Sequence, residues 1–265
     1  MSKSLPCFVL TIDPPEGKRR RNAEVLLTET GLLPRFVEGN RPDDSEIAGH
    51  FSKRANLLAY RRSLSHGEIA VYCGHRRIWR QFLNSGEPVA LVVEDDFSIL
   101  DRQRFRQVLA DVVSTPRPWD VLKLFDPSGK PPVFTHTIGK TRIAYRHYPA
   151  SGAVAYLITR EAAQKLLTRQ RFFRPVDEDL AWSWEFDIRV WSVNPGVVGE
   201  ASSQLGGSLL ESERRACKSR QPVIRSVWGN VLQCIKVTRG MAYTRSLQRQ
   251  ETPEFRIPAV RDEPV

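Results

Sequence analysis

Short apolar segments rich in β-branched residues alternate along the chain with segments whose apolar residues recur at helical spacing. Segments of the first kind are typical of strands that are buried on both faces of a sheet. The predicted strands are residues 6–12, 35–39, 89–93, 119–125, 151–158 and 189–195. Because strands that alternate with helices favour parallel pairing, the pattern predicts an α/β domain with a mostly parallel sheet flanked by helices.

Capping residues and glycines mark the ends of the predicted helices. Asp13 stands before two prolines and predicts a helix start, and Gly31 predicts the end of that helix. Ser65 and Glu68 form a Ser-x-x-Glu capping box ahead of a long segment with helical periodicity. Residues 40–64 are polar and show no regular period, so we expect them to be irregular.

Charge is concentrated near both ends of the chain. The 265 residues carry a net charge of +10, and the basic excess lies in residues 18–21 and from Arg214 onward. Such clusters either form a solvated surface or bind polyanions such as nucleic acid, sugar nucleotides or an anionic membrane. Nucleic acid is not expected, because aromatic residues do not interleave with the basic runs. The periodicity loosens after about residue 200, which predicts a domain over residues 1–200 and a basic, partly helical extension over 201–265 that ends in a flexible tail.

Cysteine spacing and hydropathy bear on the cellular compartment. The four cysteines form no Cys-x-x-Cys pair and lack the histidine spacing of a zinc site, so we expect reduced thiols. No signal-peptide core is evident at the N-terminus, and no segment approaches the roughly 20 apolar residues of a transmembrane helix. We therefore expect a cytoplasmic protein, either free or attached peripherally to the inner face of the membrane.

Three acidic residues, Glu94, Asp95 and Asp96, follow the apolar strand at residues 89–93. Ligands of open α/β sheets bind beyond the carboxyl ends of such strands. Neighbouring carboxylates repel one another unless a positive group joins them, and Mg²⁺ and Mn²⁺ take oxygen ligands that are often shared with phosphates. The triplet therefore indicates either a metal–diphosphate site or a solvated acidic loop, with Glu94 and Asp96 as the favoured metal pair.

A second acidic cluster surrounds Asp177 and Asp179 and is followed by Trp182, Trp184 and Asp187. A sugar-transfer site needs a carboxylate that takes a proton from the acceptor hydroxyl, and aromatic faces suit the apolar faces of sugar rings. The alternative is that Asp177 caps a short helix and that the tryptophans belong to the core.

Three further residues have open roles on sequence grounds. Glu68 has a sufficient explanation in its capping box. His75 is either a structural residue of its helix or a ligand-binding one. Lys123 lies inside an apolar strand, where it either extends to solvent at a sheet edge or meets a phosphate or carboxylate.

Several stretches, taken in order, resemble glycosyltransferase family 25, the lipopolysaccharide and lipooligosaccharide biosynthesis glycosyltransferases, to which the collagen galactosyltransferases are related. The stretches are residues 8–13, residues 64–70 with His75 and Trp79, residues 91–96, and residues 151–159 followed by 175–177. The sequence departs from the family pattern at Thr11, Ala70 and Gly74, where asparagine, glycine and serine are usual. These departures concern nucleotide and acceptor contacts and leave the carboxylates intact.

The resemblance implies a GT-A-type, Rossmann-like fold and inverting transfer of a hexose, often galactose, from a UDP-sugar to a glycan or lipooligosaccharide acceptor. It implies that Glu94 and Asp96 hold Mn²⁺ or Mg²⁺, and that Asp177 is the catalytic base with Asp179 and Asp187 as rivals. The implied nucleotide-sugar contacts are Thr11, Asp13, Arg20, Glu68, His75 and Asp95.

Other classes of function remain open on the sequence. A degenerate transferase fold would serve as a non-catalytic scaffold or polyanion-binding protein, against which the intact acidic triplet argues. A phosphatase or nuclease would use the same acidic strand end without needing a sugar nucleotide.

Overall fold

The chain folds into an eight-stranded sheet with helices packed on both faces. The computed structural model describes residues 5–45, 47–113, 117–127, 131–207 and 223–250. The strands are β1 (Cys7–Thr11), β2 (Pro34–Glu38), β3 (Val89–Glu94), β4 (Phe97–Ile99), β5 (Val121–Lys123), β6 (Phe134–Ile138), β7 (Thr141–Tyr145), β8 (Ala155–Thr159), β9 (Val190–Val193) and β10 (Val198–Glu200). The helices are α1 (Lys18–Glu29), α2 (Ile47–His50), α3 (Lys53–Ala59), α4 (His66–Asn84), α5 (Arg102–Val113), α6 (Arg160–Leu167), α7 (Val176–Ala181) and α8 (Val223–Gln250), with a 3₁₀ turn at Ser183–Glu185.

The strand order of the sheet is β2-β1-β3-β8-β5-β9-β7-β6, and β4 pairs separately with β10. Strand β1 pairs in parallel with β2 and β3, as β5 does with β9. The pairs β3·β8, β5·β8, β7·β9 and β6·β7 are antiparallel. Six strands of this sheet therefore run in one direction and β7 and β8 are reversed, which confirms the predicted mostly parallel α/β sheet flanked by helices.

Alternation along the strands builds a hydrophobic core on each face of the sheet. In β1, Phe8 and Leu10 pack with Trp79 of α4 on one face. Cys7 and Val9, one residue out of phase, pack on the other face in the cluster that includes α1 and α5. Burial on both faces explains why these strands are continuously apolar.

The polar region before α4 is more ordered than the sequence predicted. It contains α2 and α3, and Ser52 caps α3 by accepting a hydrogen bond from the N–H of Ala55. Buried Asn56 fixes α3 by donating to the carbonyl of Phe173 at 2.8 Å. The expectation of irregular structure was wrong here because these helices are short and are held by distant partners, which leave no local periodicity.

Helix α8 packs against the domain along its length. Leu232 is buried, Lys236 forms an ion pair with Glu178 at 2.8 Å, and Thr244 bonds to His147 at 2.9 Å. Much of the predicted basic extension and tail, residues 208–222 and 251–265, lies outside the described residues, and the predicted division at residue 200 stays a prediction. Over the part of the chain that the structure describes, no helix combines the length and apolarity needed to cross a membrane.

Candidate functional site

The carboxyl edge of the sheet collects the polar residues of the site. Strands β1, β3 and β5 end there at Thr11, Glu94 and Lys123, and the reversed strand β8 begins there. The N–H of Glu94 donates to the carbonyl of Val154 at 2.8 Å, which joins the end of β3 to the segment that enters β8. In the order β2-β1-β3, the chain passes from β1 to a neighbour on one side and later returns to β3 on the other side. Open α/β sheets bind ligands in the crevice at such a reversal of strand order.

Asp95 and Asp96 share one guanidinium. Arg19 Nη1 lies 3.3 Å from Asp95 Oδ1 and 3.2 Å from Asp96 Oδ2, and its Nη2 donates to the carbonyl of Gly207 at 2.6 Å. The hydroxyl of Thr11 donates to Asp95 Oδ2 at 2.5 Å. These contacts hold Asp95 inside the fold and leave Asp96 at the outer side of the pair, with its side chain 15% exposed against 9% for Asp95.

The cluster remains more negative than Arg19 can neutralise. Burial raises the pKa of Asp95, and burial followed by the charge of Glu94 raises the pKa of Asp96 to about 7. A raised carboxyl pKa means that the ionised form is held at a free-energy cost. Carboxylates in this condition are typical of sites that take up a further positive charge, so the acidic cluster is a functional-site candidate.

The donor set limits the kind of metal site that these carboxylates can form. Within the described ranges, no three His, Cys, Asp or Glu side chains are grouped so as to hold a metal ion by themselves. Mg²⁺, however, is usually bound through one or two carboxylates, with substrate phosphates and water as the remaining ligands. Glu94 and Asp96 therefore fit a cation that is shared with a diphosphate and do not fit a protein-only metal centre.

A buried chain of hydrogen bonds supports Glu94 from behind. The indole N–H of Trp79 donates to the hydroxyl of Tyr156 at 3.0 Å, and that hydroxyl lies 2.8 Å from His75 Nδ1. His75 Nε2 lies 3.3 Å from Glu94 Oε1. Since indole nitrogen only donates, the pattern is consistent with Tyr156 donating to Nδ1 and with Nε2–H donating to Glu94. His75 is thus a positioning residue for the Glu94 carboxylate.

Two predicted nucleotide contacts are buried inside the fold. His75 is fully buried, and its two ring nitrogens face Tyr156 and Glu94, so its predicted nucleotide contact stays a prediction. Glu68 is also buried: it accepts from both Nη atoms of Arg62 at 2.7 and 2.5 Å and from the N–H of Ser65. The capping box and this ion pair satisfy Glu68, which corrects its predicted nucleotide role to a structural one.

Helix α1 presents Arg19 to the site, whereas the predicted nucleotide-sugar contact was Arg20. The guanidinium of Arg20 lies over the ring of Phe36, 4.3 Å from its centroid, on the side of β2. Arg19 is buried together with Ala23 and Leu27, four and eight residues further along α1. That helical spacing was the signal in the sequence that could have identified Arg19.

Asp13 lies at the start of α1 beside the acidic cluster. Its Oδ2 accepts from the N–H of Arg19 at 3.0 Å, and its own N–H donates to the hydroxyl of Thr11 at 2.9 Å. The prediction that the helix starts at Asp13 was wrong, because Gly17 is the N-cap of α1; the Asp13 side chain nevertheless satisfies the N-terminal amide of Arg19. Thr11, Asp13 and Asp95 are therefore brought together around Arg19.

Asp177 lies in the first turn of α7, next to the segment that enters β8. Its Oδ2 accepts from the N–H of Gly152 at 2.9 Å, and its Oδ1 accepts from the N–H of Glu178 at 3.0 Å. Gly152 is two residues before Val154, the partner of Glu94, and two residues of chain span at most about 7 Å, so Asp177 contacts the chain close to the carboxyl edge. Asp177 is half-buried there.

The rival carboxylates are excluded by their positions. Asp179 is fully buried and is bound by Arg169 at 2.5 Å, Arg174 at 3.4 Å and the hydroxyl of Tyr72 at 2.6 Å. An enclosed, triply bound carboxylate cannot take a proton from an acceptor, so the prediction of Asp179 as a catalytic residue is corrected. Asp187 precedes β9, which places it at the amino edge of the sheet, opposite the acidic cluster.

Lys123 resolves one question that the sequence left open. The lysine is 1% exposed, and its ammonium group donates to the carbonyls of Ala150 and Ser151. Burial lowers its pKa to about 8, while the charges of Asp177 and Asp126 oppose that shift. Lys123 therefore anchors the loop before β8 from inside the fold and does not extend to solvent.

Sequence comparison identifies the family. The family described as "Glycosyltransferase family 25 (LPS biosynthesis protein)" matches residues 16–181. Inactive glycosyltransferase 25 family member 3 of Homo sapiens is 31% identical over 151 residues, which cover 51% of this chain and 25% of that protein. Procollagen galactosyltransferase 1 of Danio rerio is 26% identical over 129 residues, which cover 45% of this chain and 20% of that protein. The chain thus spans about a quarter of the length of the curated relatives that it matches.

Solved structures give weaker similarities. A197 from STIV superposes with a TM-score of 0.38 at 11% identity, covering 74% of this chain and 83% of that one. A glycosyltransferase involved in the glycosylation of the major capsid of PBCV-1 gives a TM-score of 0.33 at 9% identity, covering 61% of this chain and 62% of that one. TM-scores of this size establish nothing further, so the fold follows from the chain's own sheet.

Proposed function

This chain belongs to glycosyltransferase family 25, and we propose that it transfers a hexose, with galactose as the first candidate, from a UDP-sugar to a glycan or lipooligosaccharide acceptor. The observation that carries the proposal is the buried acidic cluster at the end of β3, within the family-matched residues. There, Asp95 and Asp96 share the one guanidinium of Arg19, and burial together with the charge of Glu94 raises the pKa of Asp96 to about 7, which suits a divalent cation shared with a diphosphate.

In this proposal each residue of the cluster has a separate task. Glu94 and Asp96 would hold Mn²⁺ or Mg²⁺, which when bound stabilises the negative charge of the departing diphosphate. Thr11 holds Asp95 and Asp95 holds Arg19, whose guanidinium would add positive charge beside the bound diphosphate.

The proposed transfer is inverting. The acceptor hydroxyl oxygen forms a bond to the anomeric carbon from the face opposite UDP, and the bond between that carbon and the diphosphate oxygen breaks. Asp177 takes the hydroxyl proton as general base, and UDP leaves with the bonding electron pair. The half-buried position of Asp177 at the carboxyl edge supports this role.

The test is nucleotide-sugar binding followed by thermal unfolding, with wild type and Asp96→Ala. A UDP-sugar with Mn²⁺ at 100 times its Kd is expected to stabilise the wild type by about 2.7 kcal/mol. The stabilisation should be lost in Asp96→Ala and should be larger at pH 8 than at pH 6, because Asp96, with a pKa of about 7, must lose its proton to bind a cation.

Asp187→Ala is the control, because that carboxylate is 78% exposed at the opposite edge of the sheet. Absence of stabilisation by any nucleotide sugar in the folded wild type would argue against the transferase. It would favour the alternative, a non-catalytic scaffold or polyanion-binding protein. Similarity to relatives that are named inactive family members supports considering this alternative.

We also propose that the protein works in the cytoplasm on an anionic membrane surface. Apolar side chains of α3 and α8 face outward: Leu57, Leu58, Val227, Trp228, Val231 and Ile235. Exposed Lys53, Arg54 and Arg239 lie on the same two helices. An apolar face bordered by basic side chains suits an anionic bilayer interface. Leu232 and Lys236, also on α8, face the domain instead.

Flotation with vesicles of phosphatidylcholine and phosphatidylglycerol checks this location. Val231→Ser combined with Ile235→Ser should weaken binding by about tenfold, since two apolar contacts are lost. Leu33→Ser combined with Leu100→Ser is the matched control, because both leucines are exposed elsewhere and should not contribute. Equal binding by both double variants would contradict the proposed surface.

A further inference from the structure

A cavity of about 360 Å³ lies between α8 and the carboxyl side of the sheet. Its polar and aromatic lining includes Tyr60, Arg61, Tyr148, Trp182, Gln233 and Lys236. The volume is in the range of small-molecule sites. Three aromatic side chains beside amide, guanidinium and ammonium groups match the two faces of a sugar ring, which has apolar C–H faces and a rim of hydroxyls.

Two residues of the cavity lining, Ser151 and Glu178, connect the cavity to the proposed catalytic base. Ser151 lines the cavity, and the next residue, Gly152, donates its N–H to Asp177. Glu178, the residue after Asp177, also lines the cavity and is held there by its ion pair with Lys236. The cavity therefore reaches the residues that flank Asp177 and its hydrogen-bond partner Gly152, although Asp177 itself is not part of the lining.

Strand order places the cavity on the side of the acidic cluster that an acceptor needs. The sheet runs β1-β3-β8-β5, so the acidic end of β3 separates Thr11 of β1 from the segments that line the cavity. Those segments, residues 148–151 before β8 and Pro127 after β5, lie on the far side of β3. In an inverting displacement the nucleophile approaches the anomeric carbon from the face opposite the leaving group, so a nucleotide held toward β1 would leave the β8 side of the site for the acceptor.

The wall contributed by α8 comes from outside the family-matched residues 16–181. Gly229, Leu232, Gln233 and Lys236 line the cavity, and all of them lie beyond that range. Gly229 lets α8 approach the end of α3 closely, because a Cβ at that position would lie 2.8 Å from the Cβ of Arg61. Helix α8 therefore closes a site whose floor the family region supplies.

We propose that this cavity is the acceptor site, that it binds the terminal one or two sugar rings of the acceptor glycan, and that α8 sets the acceptor specificity. The inference rests on the proposed function for its catalytic meaning, whereas carbohydrate binding in the cavity stands independently of it. Glu178 and Lys236 offer fixed partners to ring hydroxyls, and the aromatic side chains stack on the ring faces.

The experiment measures binding of probe sugars by ligand-observed NMR in the presence of UDP and Mn²⁺. The probes are lactose and the p-nitrophenyl glycosides of glucose, galactose and mannose. Gln233→Trp places an indole in the cavity from an exposed helix position and is expected to weaken binding of the probe that the wild type prefers by about tenfold or more. Cys234→Trp, on the next exposed position of α8 outside the cavity lining, should change it less than about twofold.

Measuring both probe-sugar binding and stabilisation by the UDP-sugar distinguishes the acceptor-site inference from the proposed transferase function. Stabilisation by the UDP-sugar should be the same in both tryptophan variants, because the nucleotide lies across β3. Failure of every probe to bind the wild type, or equal binding by Gln233→Trp, overturns the acceptor-site inference. Probe binding that is blocked by Gln233→Trp, in a protein that binds no nucleotide sugar, would retain a carbohydrate site and refute the transferase.

Discussion

Replacing Asp177 with asparagine is expected to lower the transfer rate by about 10²–10⁴-fold, the usual contribution of a positioned general base. Asparagine keeps one oxygen for the N–H of Gly152, so the loop before β8 should stay in place, and it loses the second contact, to the N–H of Glu178. The variant loses the ability to take a proton, while Glu94 and Asp96 are untouched. Nucleotide-sugar binding and the unfolding temperature should therefore stay near those of the wild type.

Initial rates of UDP release with and without acceptor check this prediction. Only the acceptor-dependent rate should fall in Asp177→Asn, because the base acts on the acceptor hydroxyl. The matched control is Asp187→Asn, whose exposed carboxylate bonds to Lys165 and Tyr243 at the opposite edge of the sheet. Full activity of Asp177→Asn would remove it as the base.

Replacing Asp179 with alanine is expected to destabilise the fold by about 3–5 kcal/mol, the range for breaking a buried ion pair by removing one partner. The change leaves Arg169 and Arg174 with less compensating charge and Tyr72 without its hydrogen-bond acceptor. Glu185 still neutralises part of the cluster, since both arginines also bond to it. Burial raises the pKa of Asp179 and the two arginines oppose that shift.

Urea unfolding curves of Asp179→Ala, Asp187→Ala and the wild type measure the effect. Asp187→Ala should cost less, about 1–2 kcal/mol, because it loses only exposed contacts to Lys165 and Tyr243 and places alanine at a φ of 50°. An Asp179→Ala variant with wild-type stability but no transfer activity would contradict a structural role for the Asp179 carboxylate. The two neighbouring carboxylates of α7 should thus fail in different ways, Asp177 in rate and Asp179 in stability.

Local chemistry explains why parts of the fold were predictable. The capping box of Ser65 and Glu68 begins α4 as expected, since both of its hydrogen bonds join residues three positions apart. The β-branched run at residues 89–93 forms β3 and carries the acidic cluster at its carboxyl end. The hairpin of β6 and β7 was missed because β6 is largely half-exposed and lacks a continuous apolar run.

The roles of the two carboxylates of α7 could not be distinguished from the sequence. Asp177 and Asp179 are two residues apart on one short helix, and nothing in their local sequence separates a base from a buried ion pair. Their difference comes from Gly152 on one side and from Arg169 and Arg174 on the other, which are distant or on other segments. The choice between Arg19 and Arg20 was decidable from helical spacing, although the acidic residues that Arg19 meets were not.

The sequence by itself determined the α/β class, the main strands and caps, the family and the acidic cluster, because period, capping and motif order are local properties. Only the tertiary structure decided that β8 runs against β3, that His75 supports Glu94 from inside the fold, and that α8 closes a cavity beside Asp177. Strand direction, burial and cavities arise from contacts between residues far apart in the chain. Such contacts stabilise the fold without producing a periodic pattern in the local sequence of either segment.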